Sequence, residues 1–125
     1  MPWHNKVNHN MSPKTEAIEF SDFLRVEIRS GTIVEATVNT KARVPAYILK
    51  IDFGELGLRT SSAQLTKNYQ IDDLLGLQIV AVMNFPVKRI AGIKSEVLVL
   101  GTDNGDNDIV LLRPFSTVAN GLQVC

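Results

Sequence analysis

The chain has 125 residues, 45% of them apolar and 21% charged, which is ordinary globular usage and excludes a largely disordered chain. Its 13 basic and 13 acidic side chains cancel, which argues against a protein that coats nucleic acid nonspecifically. No apolar run approaches the ~18 residues of a membrane span, and Met1 to Phe20 lacks the apolar centre of a secretory signal. The sole cysteine, Cys125, stands last in the chain and cannot form an internal disulfide, so a reducing cytoplasmic setting is expected. The length favours one domain, expected over residues 15–125 behind a flexible tail, 1–14.

That tail, MPWHNKVNHNMSPK, is polar and without period. It holds the two histidines, His4 and His9, read as solvated rather than metal-bound, and Met11, an alternative start. Residues 15–24 predict a helical turn or two with Ile18, Phe20, Phe23 and Leu24 packed on the body. From Arg25 the period becomes two: Val26, Ile28, Thr32, Val34 and Ala36 fall on one face, and Glu27, Arg29 and Glu35 on the other. Gly31 marks a bulge or bend in this long first strand, as a small closed barrel requires.

A cationic turn, Asn39 to Pro45, leads to a second strand in which Tyr47, Leu49, Ile51 and Phe53 alternate with polar positions. Gly54 to Gly57 closes a hairpin, and Leu58 to Ser61 begins a third strand. Ser61 with Gln64 three residues on reads as a capping box, predicting a short helix to about Tyr69. Asp72 to Gly76 predicts one more helical turn, its acids favouring the helix dipole and its glycine ending it. Leu77 to Met83 is apolar on both faces, a strand for a packed barrel or an interface.

Asn84 to Glu96 predicts a loop held by buried strands at both ends, a common place for function. It carries Lys88, Arg89 and Lys94 with no acid between them, so a local positive surface is compatible with the zero total. Glu96 to Leu100 is the next strand, Thr102 to Asp108 a tight turn with Asn104-Gly105 as its hairpin signal, and Ile109 to Leu112 the last strand. The acids of that turn are wrongly spaced for an EF-hand, and Pro114 stands where the bidentate Glu would fall.

Enzyme signatures are absent. The body holds no histidine, its cysteine is terminal, and no phosphate-binding glycine loop occurs. No catalytic residue, cofactor or metal is expected. The order of elements is that of an all-β protein with minor α: a five-stranded OB-fold barrel with a short helix between strands 3 and 4. Such barrels bind ligands on one face and its flanking loops. Tyr47 and Phe53 are placed in the core by their spacing, and Phe85 is the best exposed candidate for stacking, with core packing as its alternative.

The blocks Ile28-Arg29-Ser30-Gly31-Thr32-Ile33-Val34, Lys41 to Tyr47, Ser61-Ser62-Ala63-Gln64-Leu65-Thr66, Asn84-Phe85-Pro86 through Arg89-Ile90-Ala91-Gly92, and Lys94-Ser95-Glu96 through Gly101 resemble the CsaA family. These are export-related chaperones built on the tRNA-binding domain that also ends some methionyl-tRNA synthetases. The resemblance spans about residues 20–124. It implies terminal extensions that form a two-fold homodimer, binding of unfolded or precursor polypeptides and contact with the export translocase motor, with no membrane insertion. Three positions depart from the family pattern: Val87 for a second proline, Ile93 for an aromatic and Ser30 for valine.

Two ligand readings stay open. A polypeptide would enter near Phe85, Pro86 and Ile93, with Arg59, Lys88, Arg89 and Lys94 around the rim. A structured RNA such as tRNA would use Lys41, Arg43, Arg59, Lys88, Arg89, Lys94 and Ser95 on phosphates, and Ser62, Gln64 and Asn84 for polar contacts.

Overall fold

The computed structural model describes residues 15–125; the tail with its histidines and Met11 lies outside them. Strand β1 (Ile28–Val38) pairs antiparallel with β2 (Tyr47–Asp52) along one edge and with β4 (Gln78–Val82) along the other. The sheet is completed by β3 (Leu58–Ala63) beyond β2 and β7 (Leu98–Val99) beyond β4, giving the order β3-β2-β1-β4-β7. A short helix, α2 (Ile71–Leu74), lies between β3 and β4, and Leu74 plugs the core beneath it. This is the five-stranded OB barrel expected from the order of elements. The edges come together without a ladder between β3 and β7. Ser61 Oγ donates to the Val97 carbonyl at 2.9 Å, Glu96 N–H to the Thr60 carbonyl at 2.8 Å, and Thr60 N–H back to the Glu96 carboxylate at 3.0 Å.

The alternation in β2 is borne out: Tyr47, Leu49, Ile51 and Phe53 are all buried in one core cluster with Ile33, Ile79, Ala81, Val97 and Val99. The first strand differs from expectation. Its register slips between Ile33 and Glu35, so Val34 is the extra residue of a bulge. The parity then reverses, and Ile33 and Ala36 point inward while Val34 is exposed. Gly31 is not the bulge. A Cβ there would stand 2.6 Å from Phe53 Cε1 and 2.8 Å from Ile51 Cγ2, so glycine is needed for the ring of Phe53 to cross the strand.

The helix predicted from Ser61 is absent. Ser61, Ser62 and Ala63 continue β3, paired with Leu49, Ile48 and Tyr47 and buried. Strand pairing satisfies their backbone groups better than one turn of helix would. The capping box occurs instead at α2, where Gln70 and Asp73 cap reciprocally. The expected loop 84–96 itself contains a hairpin, β5 (Lys88–Ile90) against β6 (Ile93–Ser95), and Thr102–Asp108 is shortened by β8 (Gly101–Asp103) pairing with β9 (Ile109–Leu111).

The N-terminal helix is α1 (Phe20–Leu24). Contrary to expectation, Ile18, Phe20 and Leu24 do not pack on the body: Phe20 keeps 71% of its surface and Leu24 62%. Only Phe23 turns partly inward. The C-terminal segment crosses back over β1 and β4. Ser30 Oγ donates to the Ala119 carbonyl and accepts from Leu122 N–H, Arg29 Nη1 reaches the Gly121 carbonyl at 2.7 Å, and the Gln78 amide bonds both Val118 and Asn120. Ser30 therefore has a structural task, holding this strap down.

Candidate ligand-binding site

The bulged strand β1 ends in the loop Asn39–Ala46, which is tied at its root: Asn39 N–H donates to the Ala46 carbonyl at 2.9 Å, and Asn39 Oδ1 accepts from Lys41 N–H at 3.1 Å. The β5–β6 hairpin stands opposite. Its turn is two residues, Ala91 and Gly92, with φ of 48° and 82°, the left-handed pair that a tight hairpin turn demands. Loop and turn face each other across the end of β3. Between them lies a cleft of about 370 Å³ lined by Lys41, Ala42, Arg43, Val44, Ala46, Ser62, Gln64, Ile90 and Ala91. The aliphatic stem of Lys41 runs over the turn: the place a Cβ of Gly92 would take is 3.6 Å from Lys41 Cδ.

Four expected ligand residues, Lys41, Arg43, Ser62 and Gln64, thus gather in one cleft. Lys88, Arg89, Ile93 and Lys94 lie on the hairpin that forms its far wall. Arg89 and Lys94 are directly opposite one another, hence on the same face, where like charges repel. Among the described residues the ion pairs are Arg29 with Glu27 and Lys50 with Glu35, so none of these cleft and hairpin cations has an acid partner there. A cationic arm without counter-charges attracts anions.

The other expected residues are placed apart from the cleft. Asn84 and Phe85 line a second depression, of about 310 Å³, with Asp22, Arg25 and Val26. Pro86 and Val87 are exposed on the stretch that follows. The Asn84 amide is engaged, accepting from Glu27 N–H at 2.9 Å and donating to the Arg25 carbonyl at 2.7 Å, so it anchors the segment after α1. Arg59 stands at the opposite end of β3, near the Leu56 carbonyl. Ser95 is fully buried, and its hydroxyl oxygen accepts Ser62 N–H at 3.0 Å. It presents no surface, so the Lys-Ser-Glu block divides into one exposed cation, Lys94, and two residues that close the barrel.

The sequence reading missed Ala42, Val44, Ala46, Ile90 and Ala91 as the apolar lining. They lie inside the blocks that carried the family resemblance, but small aliphatic residues in a loop give no chemical signal of their own. Among the described residues no group of His, Cys, Asp or Glu side chains is placed to hold a metal ion, and no helix is long and apolar enough to cross a membrane.

A sequence profile described as "Putative tRNA binding domain" matches residues 28–123. The chain belongs to the tRNA-binding domain family. Within this family it is similar to a chaperone CsaA from Bacillus anthracis, with 53% identity, a TM-score of 0.84, and coverage of 88% of this chain and 100% of that one. A CsaA chaperone protein from Picrophilus torridus matches at 44% identity and a TM-score of 0.81, over 87% of this chain and 100% of the other. The resemblance to CsaA read from the sequence blocks is borne out. The chain is also 35% identical, over 97% of its length, to a methionine--tRNA ligase of Porphyromonas gingivalis, but it spans only 18% of that ligase. The match thus lies within a small part of the ligase.

Proposed function

We propose that this protein is a non-enzymatic chaperone of the CsaA type that holds unfolded or precursor polypeptides for export, as a homodimer in the cytoplasm. One observation carries the reading: 53% identity to a chaperone CsaA, matched over 100% of that chain. The geometry supports it in two places. Phe85, Pro86 and Val87 are exposed beside a depression, where apolar client side chains would be sheltered from water. Phe20, Leu24, Leu112, Phe115 and Leu122 are also exposed, more apolar surface than one small barrel leaves to water without a partner. A two-fold copy would cover the terminal part of it. The export translocase motor would receive the client. The test is dilution of a denatured client into buffer with a stoichiometric amount of the protein. Suppressed light scattering supports the reading, and unaltered aggregation ends it.

A second reading, binding of tRNA or another structured RNA, is favoured by the Arg89–Lys94 pair and the cations facing it across the cleft. The two separate by salt. Phosphate neutralisation releases counterions, so RNA affinity falls steeply as salt rises, whereas apolar contact with a client barely responds. No detectable tRNA binding even at low salt would end the second reading.

A further inference from the structure

The cleft between the Asn39–Ala46 loop and the hairpin turn has a lining whose chemistry is more specific than a general attraction for anions. It contains two cations and no acid. Its floor is small and aliphatic: Val44, Ala46, Ile90 and Ala91. Gln64 lines it as well, and the Gln64 side-chain amide bonds to none of the described residues, unlike the amides of Asn68, Gln78 and Asn84. A free amide offers a donor and an acceptor side by side, the arrangement that pairs with the N6 and N7 edge of adenine. The volume, about 370 Å³, is within the range of small-ligand sites. The turn that walls the cleft has the left-handed pair of a tight hairpin turn, and the stem of Lys41 lies beside it.

We propose that this cleft takes a single unstacked adenine nucleotide, with its phosphate between Lys41 and Arg43, its base over Val44, Ala46 and Ile90, and its edge read by the Gln64 amide. The proposal rests on the RNA reading above and narrows it from a charged surface to one nucleotide pocket. The lining has no aromatic ring, so the base gains no stacking platform. Recognition comes from the amide and the phosphate, and the pocket discriminates among bases rather than binding all single strands alike. An unpaired nucleotide of an RNA and a free nucleotide carry the same chemistry, and the test separates them.

The probes are adenosine 5′-monophosphate, a short single-stranded oligoadenylate, an oligouridylate of equal length, a fully paired RNA duplex and unfractionated tRNA. They are applied to the full chain and followed by the NMR shifts of the Gln64 amide and the Ala42, Ala46 and Ala91 methyl groups. Oligoadenylate is expected to move these signals and to bind about tenfold more tightly than oligouridylate, the discrimination one bidentate amide supplies. Gln64→Ala should remove that preference, and Arg43→Ala should weaken both oligomers alike. Monophosphate moving the same signals while tRNA does not bind would identify a free nucleotide as the source and leave the cleft assignment standing. If tRNA binds and neither oligoadenylate nor monophosphate moves the cleft signals, the proposal is overturned and the RNA reading survives. An acidic peptide that displaces the oligomer with higher affinity also overturns it. No RNA binding of any kind, with no shift from the monophosphate, removes both.

Discussion

Ser95 shows how one residue type can be read in two ways. In the sequence it stands between Lys94 and Glu96 and looks like part of a polar ligand set. In the fold it is buried and accepts Ser62 N–H. Ser95→Ala leaves that buried donor without a partner, which should cost about 1–3 kcal/mol as a shift in the urea midpoint. RNA and client binding, measured well below the transition, should be unchanged; a binding loss without a stability loss would return Ser95 to the ligand surface. The same contrast explains what was legible. Tyr47, Leu49, Ile51 and Phe53 announce their inward face because an unbroken strand alternates strictly. Ile33 does not, since the bulge at Val34 reverses parity and leaves no mark in residue type. Gly31 stands out by residue type, but the reason for it is the ring of Phe53, a contact between residues far apart in sequence.

Among the elements, the β5–β6 hairpin and the β8–β9 hairpin each yield a test. Ala91 holds φ at 48°, a conformation costly for alanine and easily adopted by asparagine. Ala91→Asn creates the Asn-Gly pair preferred in two-residue hairpin turns and should stabilise the protein by about 0.5–1 kcal/mol, seen as a higher thermal midpoint. In the other hairpin, the amides of Asn68 and then Asn104 hold the Asp108 carboxyl below its ordinary value, with Lys67 adding to the effect. A carboxylate whose pKa is lowered by folding contributes stability above its unfolded pKa of about 4, and loses it as pH falls through the native value. The stability difference between wild type and Asp108→Ala should therefore be constant at neutral pH, begin to shrink as pH falls below about 4, and be lost once pH passes below the native value. A gap that widened on acidification would contradict the assignment. Element type was legible where local pattern and tertiary pairing agree, as in β2 and α2. It was not at Ser61–Gln64, where a local capping signal was overridden by pairing with β2 and closure against Ser95. Nor was it at 84–96, whose short paired segments lie below the length at which period two can be recognised.

For the whole molecule, the barrel was legible from the order of its strands, and the cleft was not, because it forms only when the Asn39–Ala46 loop and the Ala91–Gly92 turn meet across β3. The exposed faces of α1 and the C-terminal strap belong to the same scale. If a second copy covers them, Phe20→Asp combined with Phe115→Asp should yield a monomer by sedimentation with an unchanged far-ultraviolet spectrum, since neither ring is buried in the chain itself. A dimer that survives both changes would place the contact elsewhere. The most direct test of the central claim is light scattering from a denatured client diluted with a stoichiometric amount of the protein, with RNase present and at two salt concentrations. Aggregation should be suppressed to the same extent in every condition. Aggregation that proceeds unchecked, while tRNA is bound at low salt and released at high salt, would contradict that claim.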